Sequence, residues 1–341
     1  MILTLFISIL SIAVGAFMSG TFSVPFGKVQ GWKWEQYWLV FCFFAYIVFP
    51  WLLSLLFCHG FCQVLAATPA SMLLLTFGLG MAYGICNLTF GLSLKYMGLS
   101  LGYALSLGLM MLLGTLLPPL FDGRLSPMFA DSSGTMLICG LLVSLLGIVL
   151  TAIAGYRKEK AQGEAVKAGS TFLLGLGLCL FVGVTGSTQA LGIESGNGIA
   201  SQMVKLGVNP LFQTLPVYII LYGGSFATTL IGCLLLAAHN GTMGCFREGM
   251  GPALGKNLLF CAIAGFLWFV NYLFYGMGRS GMGEYSFISW GILMSLTILS
   301  GTVWGVWRGE WKQADKKSIL IMYLGLAVLV VASFLIGMSG T

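Results

Sequence analysis

The sequence is short of charge. Of its 341 residues only 8% are Asp, Glu, Lys or Arg, against roughly a quarter in soluble domains, while 58% are hydrophobic. A chain so composed cannot cover itself with polar groups in water, so lipid is its solvent. The shortage is local as well as global. Residues 1–26, 36–94, 97–121, 132–156, 168–193, 206–246, 257–278, 285–307 and 318–341 carry no Asp, Glu, Lys or Arg. No acid or base is expected inside a membrane span, and the two histidines, His59 and His239, fall at span ends. The chain has no HExxH, no GxSxG in a suitable setting and no phosphate-binding loop, and no cytoplasmic domain to hold a nucleotide. Enzymatic catalysis and ATP-driven pumping are therefore excluded, no cofactor or metal is called for, and the net charge of +6 implies no nucleic-acid partner.

What the chain has is a series of apolar runs of membrane-crossing length, about 20 residues for a helix. Ten spans are expected: 3–24, 36–57, 71–94, 99–120, 134–155, 170–190, 211–238, 257–277, 285–306 and 317–338. The first lacks a basic leader and runs on apolar, so it reads as a retained helix rather than a signal peptide. The run 36–70 holds one span followed by a loop from Cys58. In that loop Cys58-His59-Gly60-Phe61-Cys62 has too few ligands for a metal, and an external disulfide is the better alternative. Loops after the odd-numbered spans carry thirteen Lys and Arg, from Lys28 to Lys317, against Arg124, Lys205 and Arg279 on the other side. By the positive-inside rule the odd loops are cytoplasmic and both termini face outward, across a bacterial inner membrane. Trp32, Trp34, Trp38, Trp307 and Trp311 fall at the cytoplasmic interface as anchors.

The longest basic linker divides the spans five and five. Because five is odd, two similar halves would be inverted repeats, an architecture used for alternating access. Residues 1–156 form the first half, 157–169 the linker and 170–341 the second. Val14-Gly15 followed by Ser19-Gly20-Thr21 matches Val182-Gly183 followed by Gly186-Ser187-Thr188, and Asn87 in span 3 matches Asn271 in span 8. Both halves being present, the chain is expected to work as a monomer.

The polar side chains inside the spans are amides, hydroxyls and phenols, among them Tyr83, Asn87, Gln189, Tyr218, Asn271 and Tyr272, with Trp268 and Trp290 beside them. Neutral donors and acceptors next to aromatic faces suit a neutral, hydroxyl-rich solute, whereas an ionic one would need an intramembrane charge. Each of these residues has a structural alternative, since Asn and Ser also join membrane helices. Gly80, Gly84, Asn87 and Gly91 share one helical face and read as a packing seam. Trp268, Asn271 and Tyr275 share a face of span 8 and make the best sugar-site candidate. Proton coupling needs a titratable group. Six of the ten acids fall in cytoplasmic loops, and of the outer ones Glu284, opening span 9, and then Glu194 are the coupling candidates. A carboxylate at a helix N-terminus is also what the helix dipole favours.

Several stretches carry a resemblance: Asn87-Leu-Thr-Phe-Gly91, Lys95-Tyr96-Met97-Gly98-Leu-Ser100-Leu-Gly102, Gly114-Thr115-Leu-Leu-Pro118, Pro25-Phe26 with Trp32-Lys33-Trp34-Glu35, Leu206-Gly207-Val208 with Pro210-Leu211, and Ile288-Ser289-Trp290. Together they resemble the L-rhamnose–proton symporter family of the drug/metabolite transporter superfamily. The resemblance implies an all-α membrane protein of ten helices from a duplicated five-helix unit, taking up L-rhamnose with protons. Where the family pattern leads one to expect an acid two positions before Ile288, this chain has Ser286, with Glu284 two further back. A permease or exporter of another neutral metabolite, or a receptor or assembly subunit that transports nothing, are the competing expectations.

Overall fold

The computed structural model describes residues 2–97, 99–123, 132–161, 170–244, 246, 253–282, 286–307, 309 and 311–338. Among them there is no strand. The helices are α1 (Ile2–Thr21), α2 (Trp34–Cys42), α3 (Phe49–Phe57), α4 (Phe61–Ala67), α5 (Ala70–Met97), α6 (Leu99–Phe121), α7 (Ser132–Ala161), α8 (Ser170–Ser195), α9 (Asn197–Lys205), α10 (Leu215–His239), α11 (Leu254–Ser280), α12 (Ile288–Trp307) and α13 (Lys316–Met338). Nine stretches among the described residues are long and apolar enough to cross a membrane. The tenth expected span corresponds to α6, a 23-residue helix whose described apolar part is the shorter Leu105–Phe121. Surface and interior have the polarity lipid demands: Leu74, Leu173, Leu235 and Phe121 are exposed, while Ser54, Thr76, Ser144, Ser225 and Asn257 are buried.

Several boundaries differ from the sequence expectation. Span 2 begins at Trp34 and passes through a π-helical turn, Phe43–Val48, before α3. Pro50 follows at once; its ring would strike the carbonyl four residues back in a regular helix, and the wider turn relieves that. The expected loop after Cys58 instead contains α4, entered through Gly60 in the left-handed region at φ +72°. Span 7 is shortened at its start by a 3-10 turn, Pro210–Phe212, and Asn209 caps that turn by accepting from the Leu211 N–H at 3.0 Å.

The described chain forms two compact units. The first comprises Met1–Gly20, Cys86–Leu191 and Gly278–Thr341. Its tightest pairing is α7 against α13. A Cβ on Gly140 would lie 2.9 Å from the Ile336 nitrogen, and one on Gly325 would lie 3.0 Å from the Thr151 nitrogen, so these glycines let two backbones touch. Inside the unit the Ser144 and Ser295 hydroxyls are hydrogen-bonded to each other, and Ser295 also reaches the Met111 sulfur.

The second unit comprises Thr21–Ile85 and Gly192–Met277. The glycine face read from the sequence is its main seam. Added Cβ atoms would lie 1.8 Å from the Leu221 carbonyl oxygen at Gly80, 2.5 Å from that of Ser225 at Gly84, and, from the other side, 2.0 Å from that of Phe77 at Gly224. The start of α11 is fixed by Asn257, which donates to the Gln30 carbonyl at 2.8 Å and accepts from the Gln30 N–H at 3.0 Å. Of the linker expected at 157–169, residues 162–169 lie outside the described residues.

Candidate functional site

Within the second unit, three elements present aromatic rings to one another. The π turn of span 2 supplies Tyr46, α10 supplies Tyr218 and Tyr222, and α11 supplies Trp268, Phe269 and Tyr272. The spacing explains the supply: Tyr218 and Tyr222 are four apart on α10, and Trp268 and Tyr272 four apart on α11, so each pair shares a face. Trp268 is at the centre. Its ring centroid lies 4.7 Å from that of Tyr272, 5.0 Å from Tyr46 and 5.2 Å from Tyr222. Tyr46 stacks on Tyr222 at 5.4 Å, and Tyr222 on Tyr218 at the same separation. Tyr275 joins through Tyr272 at 6.5 Å.

All of these rings are buried, Trp268 being 6% exposed. Tyr218 donates its hydroxyl to the Tyr272 carbonyl at 3.0 Å, which fixes one ring of the group to the neighbouring helix. Asn271, between Trp268 and Tyr272 in sequence, is 1% exposed, and its side-chain oxygen has no hydrogen-bond partner among the described residues. A buried amide oxygen without a donor is costly, by about 1–3 kcal/mol. A hydroxyl-bearing ligand would supply that donor, and aromatic faces suit the C–H face of a sugar.

The other residues expected from the sequence are distributed as follows. Tyr83, also in the second unit, is buried on α5, one residue before Gly84 in sequence. Glu194 is half-buried at the end of α8 and accepts from the Asn197 side-chain amide at 2.6 Å. Asn87, Gln189 and Trp290 belong to the first unit. Asn87 is half-buried and Gln189 buried. Trp290 is 1% exposed and donates its indole N–H to the Met110 carbonyl at 3.2 Å, against Gly114, where a Cβ would lie 2.3 Å from the same nitrogen. Glu284 lies outside the described residues.

Sequence reasoning put Tyr218 and Tyr272 among the intramembrane polar groups but passed over Tyr46 and Tyr222. It also left Glu35 in a cytoplasmic loop. In the structure Glu35 is helical rather than in a loop: it lies in the first turn of α2, inside the apolar stretch Trp34–Phe57, and is 5% exposed. The signal available was Tyr222 four residues after Tyr218; nothing local marks Tyr46.

The Cys58–Cys62 cluster is not a disulfide: both thiols are free, Cys58 buried and Cys62 exposed. Burial pushes the Cys58 thiol up to about 12, and it donates to the Phe212 carbonyl at 3.4 Å. A thiol held protonated in this way is a poor metal ligand. No group of three metal-ligating side chains occurs among the described residues.

Lipid-facing helices of membrane-crossing length, with a buried neutral-polar and aromatic cluster, define a multi-pass membrane protein of the solute-transporter class. Comparison with known proteins makes this specific. The family model described as L-rhamnose-proton symport protein (RhaT) matches residues 1–341, and the chain belongs to that family, one of transporters rather than enzymes. A protein of Mannheimia succiniciproducens named L-rhamnose-proton symporter is 28% identical over 330 residues, covering 96% of this chain and 95% of the relative. Proteins of the same name from Pectobacterium atrosepticum and Yersinia pestis are 30% and 29% identical over 329 residues, each with the same coverage.

Proposed function

We propose that this chain imports L-rhamnose, or a closely related neutral sugar, by proton symport across the bacterial inner membrane. The observation that carries the reading is the family match over the whole chain, and it agrees with a membrane interior that offers neutral donors beside aromatic rings. The sugar is held by Trp268, Asn271 and Tyr275 of α11, with Tyr83 of the same unit as a further contributor; Asn87, Gln189 and Trp290 are separate candidates on the first unit. Glu284 and Glu194 are the coupling acids on the outer side.

The mechanism is alternating access by two inverted five-helix repeats, 1–156 and 170–341, joined by a cytoplasmic linker, as in the drug/metabolite transporter superfamily. The excess of Lys and Arg on the odd-numbered loops supports a cytoplasmic side for those loops and an outer side for both termini. The lipid bilayer is the protein's solvent, and a single chain suffices because it contains both repeats.

Counterflow of labelled L-rhamnose in proteoliposomes tests the reading. Saturable uptake that accumulates under an imposed inward proton gradient is expected. Absence of saturable L-rhamnose uptake overturns the substrate, and uptake indifferent to the gradient overturns the coupling. Glu284→Gln is expected to keep exchange and lose gradient-driven accumulation; accumulation equal to the parent's removes Glu284 from the cycle.

A further inference from the structure

Glu35 is the carboxylate that the proposed site does not use and the fold does not leave in water. It is 5% exposed, and a buried ionised carboxylate is costly unless paired or well hydrogen-bonded. No cation pairs with it among the described residues. Its partners are neutral: the Asn240 side-chain amide donates to its Oε1 at 2.5 Å, and the Thr242 hydroxyl reaches the same oxygen at 3.5 Å. Its place in the first turn of α2 adds the partial positive charge of a helix N-terminus.

The two donors occupy a fixed structure. Asn240 caps α10, Gly241 turns the chain at φ +67°, and the Thr242 and Gly241 N–H groups close back on the Ala237 and Ala238 carbonyls. This is the left-handed helix ending that holds its residues in one geometry. Glu35 therefore joins the beginning of span 2 to the end of α10. Those elements are two of the three that build the aromatic group: span 2 carries Tyr46, α10 carries Tyr218 and Tyr222, and Tyr46 stacks on Tyr222.

Among the described residues, the titratable groups within electrostatic reach of Glu35 are Cys233 of α10 and Tyr37 of its own helix, with Cys261 of α11 against Tyr37. Thiols and phenols are ordinarily protonated at neutral pH. Lys33 and His239, which flank the two helix ends in sequence, are exposed. Glu35 is thus the carboxylate among the groups of this seam.

We propose that Glu35 is a positioning residue of the transport cycle: a proton added to its carboxylate resets the contact between α2 and the end of α10, and through it the Tyr46–Tyr222 edge of the sugar site. The proton adds to a carboxylate oxygen and leaves to water, with no other bond made or broken. The proposal rests on the reading of the chain as a proton-coupled sugar carrier.

The test is L-rhamnose counterflow in proteoliposomes of the full chain, with the apparent KM measured across pH and no gradient imposed. In the parent protein KM changes several-fold with pH. Glu35→Gln is expected to flatten that profile and to lose concentrative uptake, and Glu35→Asp to restore a pH dependence. A merely structural tie would lower the yield of Glu35→Gln and leave the profile's shape intact; a parental profile in that variant overturns the proposal. If Glu35→Gln does not insert, Asn240→Leu keeps the carboxylate and removes its nearest donor. It is expected to displace the profile by about one pH unit, a tenfold change in proton concentration, and an unmoved profile overturns the proposal. If the parent shows no L-rhamnose counterflow, the functional reading has failed, and pH-difference infrared spectroscopy still decides on Glu35. A titrating carboxyl band absent from Glu35→Gln supports the proposal, and its presence in both proteins overturns it.

Discussion

Ser225 donates its hydroxyl to the backbone carbonyl of Gly80 at 2.9 Å, across a seam where α5 and α10 meet with almost no side chain between them. Thr228 repeats the contact at Met81, at 3.0 Å. In lipid there is no hydrophobic drive between helices, so close backbone approach and such hydrogen bonds hold the pair.

Gly80→Ala puts a methyl 1.8 Å from the Leu221 carbonyl oxygen. The clash is with backbone, which has no rotamer to yield. The expected destabilisation is at least about 2–3 kcal/mol, the upper range for overpacking, read as a lower melting temperature in detergent. Gly78→Ala, where the added Cβ meets nothing within 4 Å, is the control and is expected to melt like the parent. Equal melting of both variants would mean that the seam does not hold the helices.

Asn271→Ala and Trp268→Ala are expected to weaken sugar binding while the protein still inserts. Loss of one hydrogen bond to the ligand is worth about 1.4 kcal/mol, or a tenfold rise in apparent KM for L-rhamnose. Removing Trp268 also withdraws the ring on which Tyr46, Tyr222 and Tyr272 converge, so its effect should be the larger. Parental KM in both variants would reduce the cluster to packing.

How far these features were legible in the sequence depends on the range of the signal. The seam was legible because Gly80 and Gly84 repeat at helical spacing within one element. The shared face of Trp268, Asn271 and Tyr275 was equally local. Tyr46 was not, since its neighbours Tyr222 and Trp268 come from distant helices and no periodicity links them. Glu35 was misplaced for a physical reason. Loops were assigned by their charge, and a carboxylate in the first turn of a helix looks the same in sequence whether water or Asn240 solvates it. The π turn before Pro50 and the helix Phe61–Ala67 depend on how the chain enters and leaves its spans, which apolar runs do not encode.

Asp315 gives a pH dependence with a definite sign. It lies exposed just before α13, and its carboxyl is held below the usual carboxylate range, first by the Ser318 hydroxyl and then by Arg157, whose guanidinium is 3.3 Å away. A carboxylate lowered in the folded state contributes stability above its unfolded value and loses it as pH falls through the folded one. Asp315→Asn is therefore expected to melt below the parent at neutral pH, modestly because water screens the site. The difference should close at pH below the carboxylate range. A difference that persists in acid would show that the charge is not what acts.

Cys62 offers a direct test of the membrane orientation. The thiol is exposed, whereas Cys58, four residues earlier, is buried, so a polar maleimide has one target in this segment. Cys139 is also exposed, but it lies within the apolar stretch Gly134–Lys158, where lipid excludes both the reagent and the thiolate it needs. In the proposed orientation, which rests on the thirteen basic residues of the odd-numbered loops, the loop after span 2 is external. A membrane-impermeant maleimide added to intact cells is then expected to label the parent, and Cys62→Ser is expected to lose that label. Labelling that appears only after the cells are broken would put this loop in the cytoplasm. Both termini would then face inward and the basic loops outward, against the charge asymmetry on which the proposed inverted arrangement depends.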